Sequence, residues 1–80
     1  MRLDIYRRPE PDHKLSFLAV PAGKPIPPEA INTDWVAEAR GREMDETAPT
    51  LADYAIDEPG RQIREKGYAI TSVKHQVEAG

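Results

Sequence analysis

A chain of 80 residues with 39% hydrophobic and 31% charged side chains has room for one small domain, which buries only about 60% of the surface its unfolded form exposes. Eight prolines and a mean hydropathy of -0.67 still leave it on the folded side of the disorder boundary, with long connections between its elements. A formal charge of -3 and the absence of cysteine exclude a broadly basic nucleic-acid binder, a disulfide scaffold and a thiolate zinc site.

The opening segment alternates: Leu3 and Ile5 point one way, and Arg2, Asp4, Tyr6 and Arg8 the other. This period of two predicts a half-buried strand that stops at Pro9. The turn formers of residues 9–13 lead into a second run, residues 14–20, where Leu15, Phe17 and Ala19 favour strand again. Two such runs joined by a short polar loop read as an antiparallel hairpin. Residues 21–28 contain four prolines, whose missing donors and fixed φ exclude a helix or a central strand. A Pro-rich connector is therefore expected over residues 21–33.

Residues 35–40 alternate once more, with Trp35, Ala37 and Ala39 on one side. A third strand is expected there, ending near Gly41, although a cap from Asn32, Thr33 or Asp34 would equally suit a helix. An acidic loop follows over residues 41–50, and residues 51–56 fit either a helical turn or a short extended piece. The clearest helix comes next, with Asp57 as N-cap, Glu58 and Pro59 in the first turn, Arg64 and Lys66 near the C-terminus and Gly67 as the left-handed stop. Its one large apolar residue is Ile63, supported by Ile56 just before it, so its stability must come from lying on a sheet. The β-branched and aromatic run of residues 68–73 predicts a last strand.

Together these elements predict an α+β fold of order β-β-β-α-β: a three- to four-stranded, mainly antiparallel sheet with one helix packed on one face, over a single domain of residues 1–80 with a frayed tail at 76–80. The opening Arg2-Leu3-Asp4-Ile5-Tyr6-Arg7-Arg8, the central Asn32-Thr33-Asp34-Trp35 and the closing Lys66-Gly67-Tyr68-Ala69-Ile70-Thr71-Ser72-Val73-Lys74-His75 resemble a family of small uncharacterised bacterial proteins, a domain of unknown function. The resemblance runs over nearly the whole chain. It implies bacterial origin and one compact domain, and it transfers no catalytic or binding residue.

No constellation for chemistry emerges from the spacing. Glu43, Asp45 and Glu46 lack the glycine and ligand pattern of a calcium loop and read as a solvated acidic loop. Nothing in the order of Ser16, Ser72, His13 and His75 places a nucleophile beside a base; both histidines read as surface residues, and Thr71 and Ser72 as strand hydroxyls in cross-strand packing. Asp57 and Glu58 would repel an anion at the helix N-terminus. The chain is expected to act without a cofactor, and an enzymatic role is not favoured. Pro25, Pro27 and Pro28 read as a stiff connector before a polyproline ligand, and Trp35 as a packing residue before a binding one.

Charge is unevenly spread: residues 31–60 sum to -6, residues 1–30 to +1 and residues 61–80 to +2. The most basic neighbourhood is Arg2, Tyr6, Arg7, Arg8 and Lys14, extended by Arg61, Arg64 and Lys66. One ring is thin for a stacking platform, so RNA binding through the Arg2/Tyr6/Arg7/Arg8 strand ranks behind a solvated strand face.

The sheet itself is more informative. If Leu3, Ile5, Leu15, Phe17, Trp35 and Ile70 face the helix, then Tyr6, Leu18, Val20, Val36 and Val73 point to the opposite face, which one short helix cannot also cover. Either connectors carrying Ile26, Ile31, Leu51 and Tyr54 fold over it or another molecule does. The expected function is thus a non-enzymatic protein-interaction or binding module, acting through this outer face or an edge strand on an unidentified protein or a second copy. Arg2, Tyr6, Arg8, Leu18, Val36 and Arg40 form the candidate surface. A small-ligand-binding or accessory enzyme subunit, with a site around Tyr6, Arg8 and Arg40, is the alternative. The N-terminal residues lack the apolar run of a signal peptide and no stretch is long enough to span a bilayer, so a cytoplasmic, membrane-free protein is expected.

Overall fold

Three runs of alternating residues fold into the three long strands of a sheet. The computed structural model describes residues 1–11, 14–28, 35–45, 47–71 and 77–78. The strands are β1 (Arg2–Glu10), β2 (Lys14–Pro21), β3 (Val36–Glu43), β4 (Thr50–Leu51), β5 (Ile56–Asp57), β6 (Ala69–Ile70) and β7 (Val77–Glu78), with helix α1 (Pro59–Lys66) between β5 and β6. The main sheet runs β3-β1-β2-β6 with every pairing antiparallel, and β7 joins β2 at its start. The α+β class and its one helix over an antiparallel sheet are as the patterning predicts. Within residues 76–80, Glu78 and Val77 of β7 lie opposite Lys14 and Leu15.

The hairpin of β1 and β2 is in continuous register from Leu3 opposite Pro21 to Glu10 opposite Lys14. β1 therefore passes through Pro9 instead of stopping there. Its partner on the other side, β3, reaches only as far as Arg7 opposite Val36, so at Pro9 a missing amide donor interrupts no β3 ladder among the described residues.

β3 likewise continues past Gly41, and its register explains how. Tyr6 pairs with Ala37, Ile5 with Ala39 and Leu3 with Arg42, so β3 carries extra residues at two bulges. The second bulge contains Gly41 at φ 63, a conformation that glycine adopts without strain. The first, at Glu38, reverses the side-chain phase. Ala37 thus shares a face with Tyr6 while Ala39 shares one with Ile5, and the expected common face of Trp35, Ala37 and Ala39 does not exist.

The ambiguous segment at residues 51–56 turns out to be both alternatives in sequence: β4, a 3-10 turn at Ala52–Tyr54, then β5. Asp57 belongs to β5 and is not the helix cap. Glu58 occupies that position in the left-handed region at φ 49, Pro59 begins the helix, and Gly67 at φ 89 ends it by donating its N–H to Ile63 O at 2.8 Å.

Two clusters sandwich the sheet. On the helix side, Leu3, Ile5, Phe17, Ala19 and Ala69 meet Met44, Tyr54, Ile56 and Ile63, with the Phe17 and Tyr54 rings 4.9 Å apart. Leu51 and Tyr54 pack here and not on the outer face. On that outer face, Leu18 and Val20 are buried beneath Tyr6, Ile26, Trp35, Tyr68 and Ile70. Trp35 and Ile70 thus stand opposite to their expected side. Ala69 takes the helix side instead, because α1 returns to the sheet through only Gly67 and Tyr68 and a small residue permits that approach. Ile31 and Val73 lie outside the described residues.

Two polar devices complete the frame. The buried Thr71 hydroxyl accepts the Phe17 N–H at 2.8 Å and donates to Tyr54 O at 2.7 Å, tying β2 to the 3-10 turn. The Gln62 amide accepts the Ile70 N–H at 3.1 Å and donates to Ile70 O at 3.4 Å, and so occupies the outer edge of β6 as a neighbouring strand would.

Candidate interaction face

Alternation along β1 sends Arg2, Asp4, Tyr6, Arg8 and Glu10 to the outer face, and the register aligns Tyr6 with Leu18 and Asp4 with Val20. Leu18 lies in turn opposite Ile70. The result is an apolar floor of Leu18 and Val20, 0% and 1% exposed, with three half-buried rings packed on it: Tyr6, Trp35 and Tyr68.

Each ring carries a cation. The Arg8 guanidinium lies 4.8 Å from the Trp35 centroid, Arg40 lies 5.9 Å from Tyr6, and the Lys66 ammonium lies 4.8 Å from Tyr68. A cation within about 6 Å of a ring face is attracted by its quadrupole, by about 0.5–1 kcal/mol at an exposed site. The three cations differ in how firmly they are held. Arg8 is anchored by its Nε and Nη2, which donate to Glu10 Oε1 at 3.0 and 2.7 Å. Lys66 donates, among the described residues, to the neutral Gln62 Oε1 at 3.0 Å. Arg40 is 67% exposed and stands 3.9 Å from Asp4 Oδ2, beyond hydrogen-bonding distance.

Asp4 organises this end of the face. Its Oδ1 accepts the Gly41 N–H at 3.0 Å and its Oδ2 the Gly23 N–H at 3.1 Å, and both glycines have positive φ. One carboxylate thereby fixes both the β3 bulge that carries Arg40 and the turn that leads β2 into the connector. These two backbone donors, and then the Arg40 charge, hold its carboxyl below the ordinary aspartate range against the opposing effect of burial.

Of the six residues that the sequence nominates, the structure brings Tyr6, Arg8 and Arg40 together. Arg2 points to the same side but is engaged at the corner, with Glu43 at 3.4 Å and the N-terminal amine on the same carboxylate. Leu18 is floor and not contact surface. Val36, 51% exposed, lies opposite Arg7 and so on the other side of the sheet, because the Glu38 bulge changes the phase. Arg7 shares that side and pairs with Glu38 at 3.5 Å, which divides the proposed Arg2/Tyr6/Arg7/Arg8 strand between two faces.

The other candidates are accounted for locally. Glu43 is engaged as above, and Asp45 Oδ1 accepts the Thr47 N–H and hydroxyl at 2.9 and 2.7 Å, bonds that lower its pKa. Among the described residues no three acidic or histidine side chains gather as a metal site, and no helix is long and apolar enough to cross a membrane. His13, Glu46, Ser72 and His75 lie outside the described residues. Sequence reasoning missed Tyr68 as part of this face and named Lys66 only as an extension of the basic neighbourhood. The available signal was the helix-to-strand link: two residues are too short to let β6 present its larger side chains to α1.

A family model described as a family of unknown function, DUF6139, matches residues 1–77 of the chain. No curated protein and no solved structure matches it.

Proposed function

From the premise that this chain belongs to a family of unknown function, we propose that it is a non-enzymatic binding module whose working surface is the outer face of its sheet. One observation carries the reading: three half-buried rings on a sealed apolar floor, each with a cation at its face. Aromatic and arginine side chains are the groups that contribute most per residue to protein interfaces.

The face is preferred to an edge strand because both edges are guarded. β3 is bulged twice and carries Glu38, Arg40, Arg42 and Glu43, devices that discourage strand addition, and Gln62 occupies the edge of β6. A heterologous protein partner is therefore preferred to a second copy, and sedimentation is expected to show a monomer. The cytoplasm is the compartment assigned to it, since a chain without cysteine draws no stability from oxidising conditions.

The reading is tested with a photo-crosslinking amino acid at Ala37, exposed on the outer face beside Tyr6, in cells that carry the gene. Adducts with one discrete protein from Ala37, and none from the same probe at exposed Arg64 on α1 or at Val36, are expected. Adducts from Arg64 or Val36 in place of Ala37 would overturn it.

A further inference from the structure

We infer that the ligand of this face is a short extended peptide segment with acidic side chains flanking an apolar one, an inference that rests on the outer-face reading above. Charge is the first argument. Arg8 is neutralised by Glu10, whereas Arg40 and Lys66 sit over their rings with no carboxylate at short hydrogen-bonding distance among the described residues. Among the described residues the carboxylate near Arg40 is Asp4, whose oxygens already accept two backbone N–H groups. Two cations are thus presented on the face with donors to spare, and a ligand carboxylate completes each.

Spacing is the second argument. Tyr6 is on β1 and Tyr68 adjoins β6, with β2 between them, and the register sets Ile70, two residues beyond Tyr68, level with Tyr6 across Leu18. The backbones at the two rings are therefore two strand spacings and two residues apart, about 12 Å. In an extended peptide, side chains four residues apart lie on one side, about 13 Å from each other, with a third between them. The reach of Arg40 and Lys66 covers the difference, and the middle side chain falls on the rings above Leu18 and Val20.

Single-stranded nucleic acid is the competing ligand for rings with cations. It is disfavoured because a base stacked on any of these rings would displace the cation at that ring, and because the chain is acidic overall.

The test is an amide NMR titration of the intact chain with the blocked peptide Glu-Ser-Leu-Ser-Glu, its Gln-Ser-Leu-Ser-Gln counterpart and oligouridylate. Expected are shifts at Tyr6, Ala37, Arg40 and Tyr68 with the acidic peptide that shrink with added salt, and little response to the neutral one. Arg40→Gln and Lys66→Gln, both at exposed side chains, are each expected to weaken binding about two- to fivefold with an unchanged thermal midpoint. A response to oligouridylate alone, an equal response to the neutral peptide, or no response to any probe would overturn the acidic-peptide inference while leaving the crosslinking test of the face to stand by itself. Shifts confined to α1 or the β3 edge would overturn both.

Discussion

The two faces of the sheet are covered in different ways. The helix side is closed by whole elements: α1, the 3-10 turn and the β4–β5 pair bring Ile63, Tyr54, Leu51 and Ile56 over Leu3, Ile5 and Phe17, and Thr71 bonds β2 to the turn beneath them. The outer side is closed by single side chains, Tyr6, Ile26, Trp35 and Tyr68, laid over Leu18 and Val20 and finished with cations. The first arrangement buries its contacts on both sides and serves stability. The second leaves half-buried rings and exposed charges within reach of another molecule. In so small a domain the two tasks are divided between faces, because the apolar residues of one helix are too few to close both.

Substitution should separate the two layers most sharply in the core. Ile5→Ala removes a fully buried side chain and is expected to cost about 3–4 kcal/mol in urea unfolding, a large part of the stability of a small domain. Leu18→Ala should fall in the same range. A Leu18→Ala cost below about 1 kcal/mol would show that the outer layer does not seal its floor.

Thr71→Val keeps the shape but strands the Phe17 N–H and the Tyr54 carbonyl that the hydroxyl now serves. A loss of about 2 kcal/mol is expected, with Thr71→Ser recovering most of it. Equal stability of the valine variant would remove the buried tie from the account of the helix side.

Acid should act next, and through the outer face. The folded pKa of Asp4 lies below its ordinary value, so its ionised form contributes stability that is fully present above about pH 3.9 and is lost as the pH falls through the lower folded value. Asp4→Asn should be less stable than the parent at neutral pH, since one of the Gly23 and Gly41 donors then faces an amide NH2. The gap between the two proteins should narrow below about pH 3.9. A gap that is constant with pH, read from unfolding at matched acid conditions, would break the link.

The smallest effect is expected at Val36→Ser. That side chain is 51% exposed and lies away from the rings, so stability should change by less than about 0.5 kcal/mol and the photo-adducts from Ala37 should persist. Loss of those adducts would return Val36 to the interaction surface.

Much of the architecture was legible in the order of residues. Leu3 and Ile5 against Asp4 and Tyr6, and Leu15 and Phe17 against Ser16 and Leu18, state a hairpin through side-chain period alone, and Pro59 with Gly67 brackets the helix. The candidate face was legible only in part. Tyr6, Arg8 and Arg40 follow from alternation, but alternation alone puts Trp35, Val36 and Ile70 on the wrong sides. A bulge shifts phase by one residue and leaves no mark in composition, and the short link after α1 forces Ala69 inward.

What the residues determine by themselves in this protein is local: backbone propensity, period, turn chemistry and the positive-φ glycines, each set by interactions between near neighbours in the chain. What the tertiary structure alone decides is the meeting of distant groups: Asp4 with Gly23 and Gly41, Thr71 with Phe17 and Tyr54, and Lys66 with Tyr68 on the same face as Arg40 with Tyr6. Those meetings depend on strand order and register. Both are selected by the free energy of the whole packed chain, in which no single segment's preference is decisive.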